Sequence, residues 1–320
     1  MSCLILVKFY TMWRKKNKKI GLALGSGSAR GWAHIGAIEA IEEAGIHIHY
    51  IAGTSIGAFV GAVYATGDLD SLKQFALQMD WKKVISYFDV VFPKSGFMDG
   101  KKVHDLFSIH TDAKTFEEFK IPVKMIATDL KTGKKVVIDS GNIIEGIRAS
   151  VSVPGVFTPV RRGDKWLVDG GLVDPVPVSV VRNMGADFVI AVDLNSDLIN
   201  HDYKPKKQTS LEKIPKKERN ELMLRISAQY NTAENAVKAK INRWFSGSTK
   251  SPNIIDVMGT SLGIMQEQIS RINLAMDPPD ILIQPRLGDL KMFDFDQAER
   301  SIREGYTQAK YQIDNIKSVL

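Results

Sequence analysis

The chain has 320 residues, 44% hydrophobic and 25% charged, with ordinary glycine and proline content. That is enough to bury a full core in one large domain or two small ones, and it excludes a disordered or coiled-coil chain. A single cysteine, Cys3, excludes an intrachain disulfide framework and a cysteine metal cluster, so a reducing compartment, the cytoplasm, is expected. The formal charge of +7 is a mild basic excess, unevenly placed, which bears on contact with anionic partners.

Ser2 to Trp13 is apolar and is followed by Arg14, Lys15, Lys16, Lys18 and Lys19. A secretory signal carries its charges before the apolar stretch, and a spanning helix needs about 20 apolar residues. Residues 1–18 therefore read as an apolar and basic extension, or as the result of a start assigned upstream of Met12. A weak anchor on a membrane surface is the functional alternative.

The folded part opens at Lys19 to Leu24, a short buried strand. It runs into Gly25-Ser26-Gly27-Ser28-Ala29-Arg30-Gly31 and then into a helix with Ile35, Ile38 and Ile41 on one face, closed by Gly45. A dinucleotide fingerprint needs glycine at the sixth position of such a loop and an acid at the end of the next strand. Here Arg30 and Gly53-Thr54-Ser55 stand in those places, and no Gly-Lys-Ser/Thr ending makes a nucleotide loop. What remains for small residues at a helix N-terminus is to aim backbone N–H groups at developing negative charge. Ser26, Gly27 and Ser28 leave room there for a substrate carbonyl.

The next strand runs from His49 into Gly53-Thr54-Ser55-Ile56-Gly57, after which Ile56, Phe59, Val60, Val63 and Tyr64 recur at helical spacing up to a stop at Gly67. This is the strand-turn-helix pattern of a nucleophile elbow with Ser55 at its tip. Gly53 and Gly57 supply missing Cβ atoms where strand and helix come close. The bland alternative is an ordinary strand-to-helix turn built of small residues.

A base for Ser55 is sought among few candidates. His34, His47, His49, His104 and His110 lack a triad context, and only His201 lies late enough for a Ser-Asp-His order, in a polar stretch. Lys165-Trp166-Leu167-Val168-Asp169-Gly170-Gly171 puts a carboxylate at the end of an apolar strand before a Gly-Gly turn, and Asp169 is the preferred base. An aspartate that merely opens a turn is the common alternative.

In this order, the loop with Arg30-Gly31, Gly53-Thr54-Ser55-Ile56-Gly57 and Asp169-Gly170-Gly171 resemble the patatin-like phospholipase family of lipid acyl hydrolases. The likeness runs from about Ile20 to Leu194, including Ala149 to Val160 and Asp174-Pro175-Val176-Pro177, and resumes from Pro252 to Leu287. Ser26 and Ser28 depart from the glycines usual there, and a positive φ at either would be strained. The resemblance implies an α/β fold of three layers, a mostly parallel sheet flanked by helices. It implies a Ser55–Asp169 dyad without histidine, an acyl-enzyme at Ser55, an oxyanion hole at Ser26, Gly27 and Ser28 braced by Arg30, and structural glycines at Gly53, Gly57, Gly170 and Gly171. No metal or cofactor is required, and the partner is a lipid ester, of a phospholipid or lysophospholipid. Two alternatives stay open: a Ser-His-Asp esterase using His201, and a lipid-binding or regulatory protein of the same fold without turnover.

Ile121 to Leu130, Thr132-Gly133 and Lys135 to Asp139 read as strand, turn and strand, and Phe188 to Leu194 as another buried strand reached by a helix near Val178 to Met184. Asp129 and Asp193 are read as structural. From Tyr203 to Phe245 the chain turns basic, with Lys204, Lys206, Lys207, Lys213, Lys216, Lys217 and Arg219, and then Ile226 to Trp244 at helical spacing. Residues 204–245 are a candidate for peripheral contact with an anionic inner-membrane surface, or a helix packed beside a solvated linker. Nucleic acid is not expected, since no reader motif accompanies the charge. The expected division is an extension at 1–18, a catalytic core at 19–200, an insertion at 201–250, and a helix-strand-helix segment at 251–320 that completes the same domain.

Overall fold

Strands Ile20–Leu24 (β1), Tyr50–Thr54 (β2) and Phe188–Val192 (β7) are uncharged five-residue runs buried along nearly their whole length, as strands covered on both faces must be. The computed structural model describes residues 18–80, 101–198 and 254–320. The other strands are Val123–Asp129 (β3), Lys135–Ile138 (β4), Val160–Arg162 (β5), Lys165–Asp169 (β6) and Ile281–Ile283 (β8). They form one eight-stranded sheet in the order β5-β6-β3-β2-β1-β7-β8, with β4 paired to β3. The β3–β2–β1–β7–β8 pairings are parallel, and β4, β5 and β6 join antiparallel.

Strand residues alternate between the two faces of the sheet. Leu22, Leu24, Ile51, Met125, Ile190 and Val192 enter one apolar core. Smaller neighbours, Ala23, Ala52 and Ala191 among them, enter a second core. The first core is closed by helices Ala33–Glu43 (α1), Ile56–Thr66 (α2) and Ala298–Val319 (α8), through Ile35, Ile38, Ile41, Phe59, Val60, Val63, Ile302 and Ile313. The second is closed by Val178–Asn183 (α6), through Val178, Val180 and Val181, with Leu274 of helix Ile254–Met276 (α7) packed beside them. The result is the expected three-layer α/β fold with a mostly parallel sheet flanked by helices.

Helices Leu69–Leu77 (α3), Lys101–Ser108 (α4) and Ile143–Ser150 (α5) complete the described elements. Gly67 ends α2 in a left-handed conformation at φ 93°, a geometry that only glycine adopts freely. One strand goes beyond the sequence reading: β5 pairs with β6 across Gly163-Asp164, so the segment read as the single strand Lys165–Asp169 is the second arm of a hairpin. Three residues are too few to show a period. Among the described residues no helix is long and apolar enough to cross a membrane. The basic stretch at 204–245, His201 and residues 1–17 lie outside the described residues.

Candidate active site

The site is assembled on one edge of β3. Even-numbered residues of this strand turn their peptide groups to that edge, where Pro122 O accepts from Ile51 N and, farther along, Leu130 N donates to Trp166 O. Odd-numbered residues face the opposite edge, where Asp129 N donates to Lys134 O. β2 and β6 therefore share one edge of β3 end to end. β2 runs as far as Thr54 opposite Ile126, and β6, in the opposite direction, ends with Asp169 opposite Ala127. The residue that leaves β2 is Ser55, so Ser55 and Asp169 meet at the junction.

The next rung of the parallel ladder would join Ser55 N to Ile126 O, four residues on from the pattern of Ile51 N and Pro122 O. A side chain fills it instead. Ser150 Oγ, at the end of α5, accepts from Ser55 N at 2.8 Å and donates to Ile126 O at 2.6 Å. A Cβ on Gly170 would stand 2.3 Å from the same carbonyl, so the chain turns away from the junction only with glycine there.

Ser55 has φ 57° and ψ −123°, a conformation that costs a side-chain-bearing residue about 1–3 kcal/mol. The turn is tight: a Cβ on Gly53 would lie 2.4 Å from Gly57 O, and one on Gly57 2.2 Å from Leu24 O. Ser55 Oγ donates to Asp169 Oδ2 at 2.5 Å, while Asp169 Oδ1 accepts from Gly171 N at 2.7 Å. Both side chains are buried. Burial pushes the Asp169 carboxyl up to about 6, against the opposing pull of its bonds from Ser55 and Gly171. The first turn of α2 begins at Ile56 and directs its positive end at the same place.

Beside the elbow, the loop Gly25–Gly31 leaves the parallel neighbour β1. Gly25 N donates to Val192 O and Ser26 N to Pro175 O, so of the three amides at Ser26, Gly27 and Ser28 the first is already engaged. Ser28 has φ 50°, the left-handed geometry that glycine would hold without strain. The side chains of the loop are tied down. Arg30, buried, donates from Nε to Gly27 O at 3.2 Å, and burial lowers its guanidinium to about 10, with Asp197 and Asp193 opposing, so it stays protonated at neutral pH. His34 Nε2 is 2.7 Å from Gly25 O, and burial lowers that imidazole to about 4, so it is neutral and donates to the carbonyl.

Ser26 Oγ donates to Gln266 Oε1 of α7 and accepts from Asn195 Nδ2. Gln266 Nε2 also lies where a Cβ on Gly171 would be, 2.4 Å away. None of Ser150, Asn195 and Gln266 is among the site residues expected from the sequence. They are isolated polar residues 24 to 240 positions from their partners, and no local pattern marks them. No described histidine is hydrogen-bonded to Ser55 or Asp169: His49 Nδ1 accepts from Ile20 N and His110 Nδ1 meets Ser71 Oγ. Asp129 and Asp193 accept backbone N–H groups, of Lys131 and Asn195 respectively. Among the described residues no group of three or more His, Cys, Asp or Glu side chains is placed to hold a metal ion.

The family model described as Patatin-like phospholipase matches residues 22–182, from β1 through the elbow and Asp169 to α6. The chain belongs to the patatin-like phospholipase family. An uncharacterized NTE family protein of Mycobacterium tuberculosis is 39% identical over 177 residues, which cover 55% of this chain and 49% of the relative. Lysophospholipase NTE1 of Pyricularia oryzae is 28% identical over 298 residues, 90% of this chain and 18% of the relative. The corresponding Aspergillus fumigatus lysophospholipase is 35% identical over 188 residues, 56% of this chain and 12% of the relative. This patatin-like chain thus spans about half the length of the mycobacterial relative and less than a fifth of the fungal ones. Among solved structures, VipD from Legionella pneumophila aligns with a TM-score of 0.47 at 12% identity, over 93% of this chain and 67% of that one.

Proposed function

We propose that this patatin-like protein is a serine acyl hydrolase that cleaves carboxylic esters of phospholipids or lysophospholipids, with Ser55 as nucleophile and Asp169 as its direct base. The observation that carries the reading is the 2.5 Å hydrogen bond from Ser55 Oγ to Asp169 Oδ2 at the tip of a strained elbow. An ordinary carboxylate near 3.9 is a weak base for a hydroxyl. A carboxyl raised to about 6 by burial is still ionised at neutral pH and is a better acceptor. The lipid class comes from the family and from relatives named lysophospholipases.

Ser55 Oγ attacks the ester carbonyl and its proton passes to Asp169. The oxyanion forms against the amides of Gly27 and Ser28 and the N-terminus of α2. Collapse expels the alcohol, which takes the proton from Asp169 and leaves the acyl group on Ser55. Water then attacks this ester, giving its proton to Asp169, and the fatty acid leaves as Ser55 recovers its own. Arg30 holds the loop by its bond to Gly27 O. The catalytic unit joins 19–200 with 251–320, a division supported by the pairing of β8 with β7.

Covalent labelling by a fluorophosphonate, followed by hydrolysis of a short-chain soluble ester, tests the dyad. Ser55→Ala is expected to abolish labelling, and Ser55→Ala and Asp169→Asn each to lower turnover by several orders of magnitude, because the two groups act as one unit. His201→Ala is expected to be nearly silent. Near-parent turnover in Asp169→Asn, or collapse in His201→Ala, would replace the dyad with a triad, and absence of labelling would leave a lipid-binding protein.

A further inference from the structure

We propose that the two hairpin tips beside the site form a docking surface for an anionic phospholipid bilayer. The proposal rests on the reading of the protein as acting on lipid, and it concerns a surface separate from residues 204–245. The register of β3 and β6, with Thr128 opposite Val168 and Asp129 opposite Leu167, brings Leu130 opposite Trp166, and Leu130 N donates to Trp166 O. Across β6, Trp166 is opposite Arg161 of β5. Residues that stand opposite one another present their side chains to the same face. Leu130, Trp166 and Arg161 therefore make one row across three strands.

Burial does not explain this row. Leu130 is 55% exposed and Trp166 51% exposed, although each continues a strand whose inner residues are fully buried. Beside them stand Lys131 and Lys134 on the turn that follows Leu130, with Asp164 the single acid between Arg161 and Trp166, while Lys165, next to Trp166 on β6, is on the opposite face near Asp129. Lys135 and Arg162, the remaining cations, are engaged by Asp174 and by Ser140 O. An indole and a leucine flanked by Arg161 and by the turn lysines Lys131 and Lys134 match the boundary of an anionic bilayer, where the ring sits at headgroup depth and the cations meet lipid phosphates.

The location matches too. β3 runs parallel to β2 and passes the level of Thr54 at Ile126, so its turn at Lys131–Lys134 projects beyond the end of the sheet that carries Ser55. Trp166 is three residues before Asp169 on the same strand, about 10 Å along it, with its side chain on the other face of the sheet. A bilayer seated on this row would lie beside the end of the sheet that carries Ser55. The outer surface of α7 also exposes apolar groups, Ile264, Met265 and Ile272 among them. The one cation of α7 itself, Arg271, is paired with Glu267, whereas the hairpin row brings its own complementary charge.

Vesicles of phosphatidylcholine, with and without 30% phosphatidylglycerol, test this by co-sedimentation of a Ser55→Ala protein, which binds without turnover. Adding Lys131→Gln, Lys134→Gln and Arg161→Gln is expected to lower partition onto the anionic vesicles about fivefold per cation at low salt, and to remove most of the salt dependence. Adding Leu130→Ser and Trp166→Ser is expected to weaken binding at every salt concentration. Brominated lipids are expected to quench a share of the tryptophan emission that Trp166→Phe removes. With Ser55 intact, the same surface variants should keep fluorophosphonate labelling at the parent rate, which reports both fold and dyad, so loss of labelling in the parent sinks the hydrolase reading alone. Parent-like partition of the surface variants, or quenching unchanged in Trp166→Phe, overturns the docking surface. So does a change in the oligomeric state of those variants with vesicle binding intact, which would make the row an interface between copies.

Discussion

Two strand-turn-helix crossings lie side by side in this protein, β1 into α1 and β2 into α2, and they are built from the same ingredients. Both strands are buried and parallel, both turns are made of glycine and small residues, and each holds a serine at positive φ, Ser28 at 50° and Ser55 at 57°. They end in opposite ways. At the elbow the backbone is fixed, through Ser150 and the close approach of Gly53 to Gly57, and the side chain is left to face Asp169. At the β1 loop the side chains are fixed instead, Ser26 to Gln266 and Asn195, Arg30 to Gly27 O and His34 to Gly25 O. One device thus presents a hydroxyl at Ser55, while in the β1 loop the amides of Gly25, Ser26, Ala29 and Arg30 are bonded and those of Gly27 and Ser28 stand between them.

The largest expected effect comes from breaking the elbow's side of this contrast at a residue outside the proposed Ser55–Asp169 dyad. Ser150→Ala removes the bridge between Ser55 N and Ile126 O and leaves two buried backbone groups without it, at about 1–3 kcal/mol each. Urea denaturation should show a loss of about 2–4 kcal/mol. Soluble-ester turnover should fall about a hundredfold as the elbow loses its fixed geometry. Parent-like values for both would mean that the elbow is held by its own turn alone.

A smaller effect sharpens the cost of facing a buried carboxyl. Asp169 titrates near 6 in the folded protein and near 3.9 unfolded, so folding takes up a proton between these values. Its contribution to stability is therefore present at low pH, falls as pH rises through that window, and stays low above it. Asp169→Asn removes the burial of charge and is expected to raise stability at pH 7 by about 2 kcal/mol, with little gain at pH 4, as read by thermal melts at the two pH values. With Asp169 as the proposed base, turnover by the parent should fall about tenfold per pH unit below 6, as its carboxylate is protonated. An equal melting gain at both pH values would trace the stabilisation to packing rather than charge.

The smallest effect belongs to the loop. Ser28→Gly relieves a left-handed conformation that costs about 1 kcal/mol, offset in part by the added freedom of glycine in the unfolded chain. A rise of about 2 °C in Tm is expected, with ester turnover changed less than threefold, because the loop works through main-chain groups. A large fall in turnover would show that the Ser28 side chain takes part in the site.

The local pieces of this architecture were legible because each is written within a dozen residues. The elbow is an apolar run, a tight turn with two close glycines, a helical period and Gly67 as a stop, and the structure follows that reading residue by residue from Tyr50 to Gly67. The β5–β6 hairpin was only half legible, since β5 is three residues long and its partner carries the exposed Lys165 and Trp166 where alternation would help. Ser150 sits in a stretch singled out for its likeness to the family, but nothing in Ala149-Ser150-Val151 says that its hydroxyl completes a ladder 24 residues back and 95 residues back.

By itself the sequence determined the α/β class, the strand-turn-helix units, the serine at the elbow tip and the aspartate before Gly170-Gly171, because periodicity, turn chemistry and steric need for glycine act between near neighbours. Only the tertiary structure decided that β2 and β6 dock end to end on one edge of β3, which brings Asp169 to Ser55 across 114 residues of chain. The same is true of Gln266, which reaches Ser26 from a helix 240 residues away. Strand pairing is set by which unpaired edge remains once the core has closed on both faces, and that is a property of the whole packed sheet rather than of any segment in it.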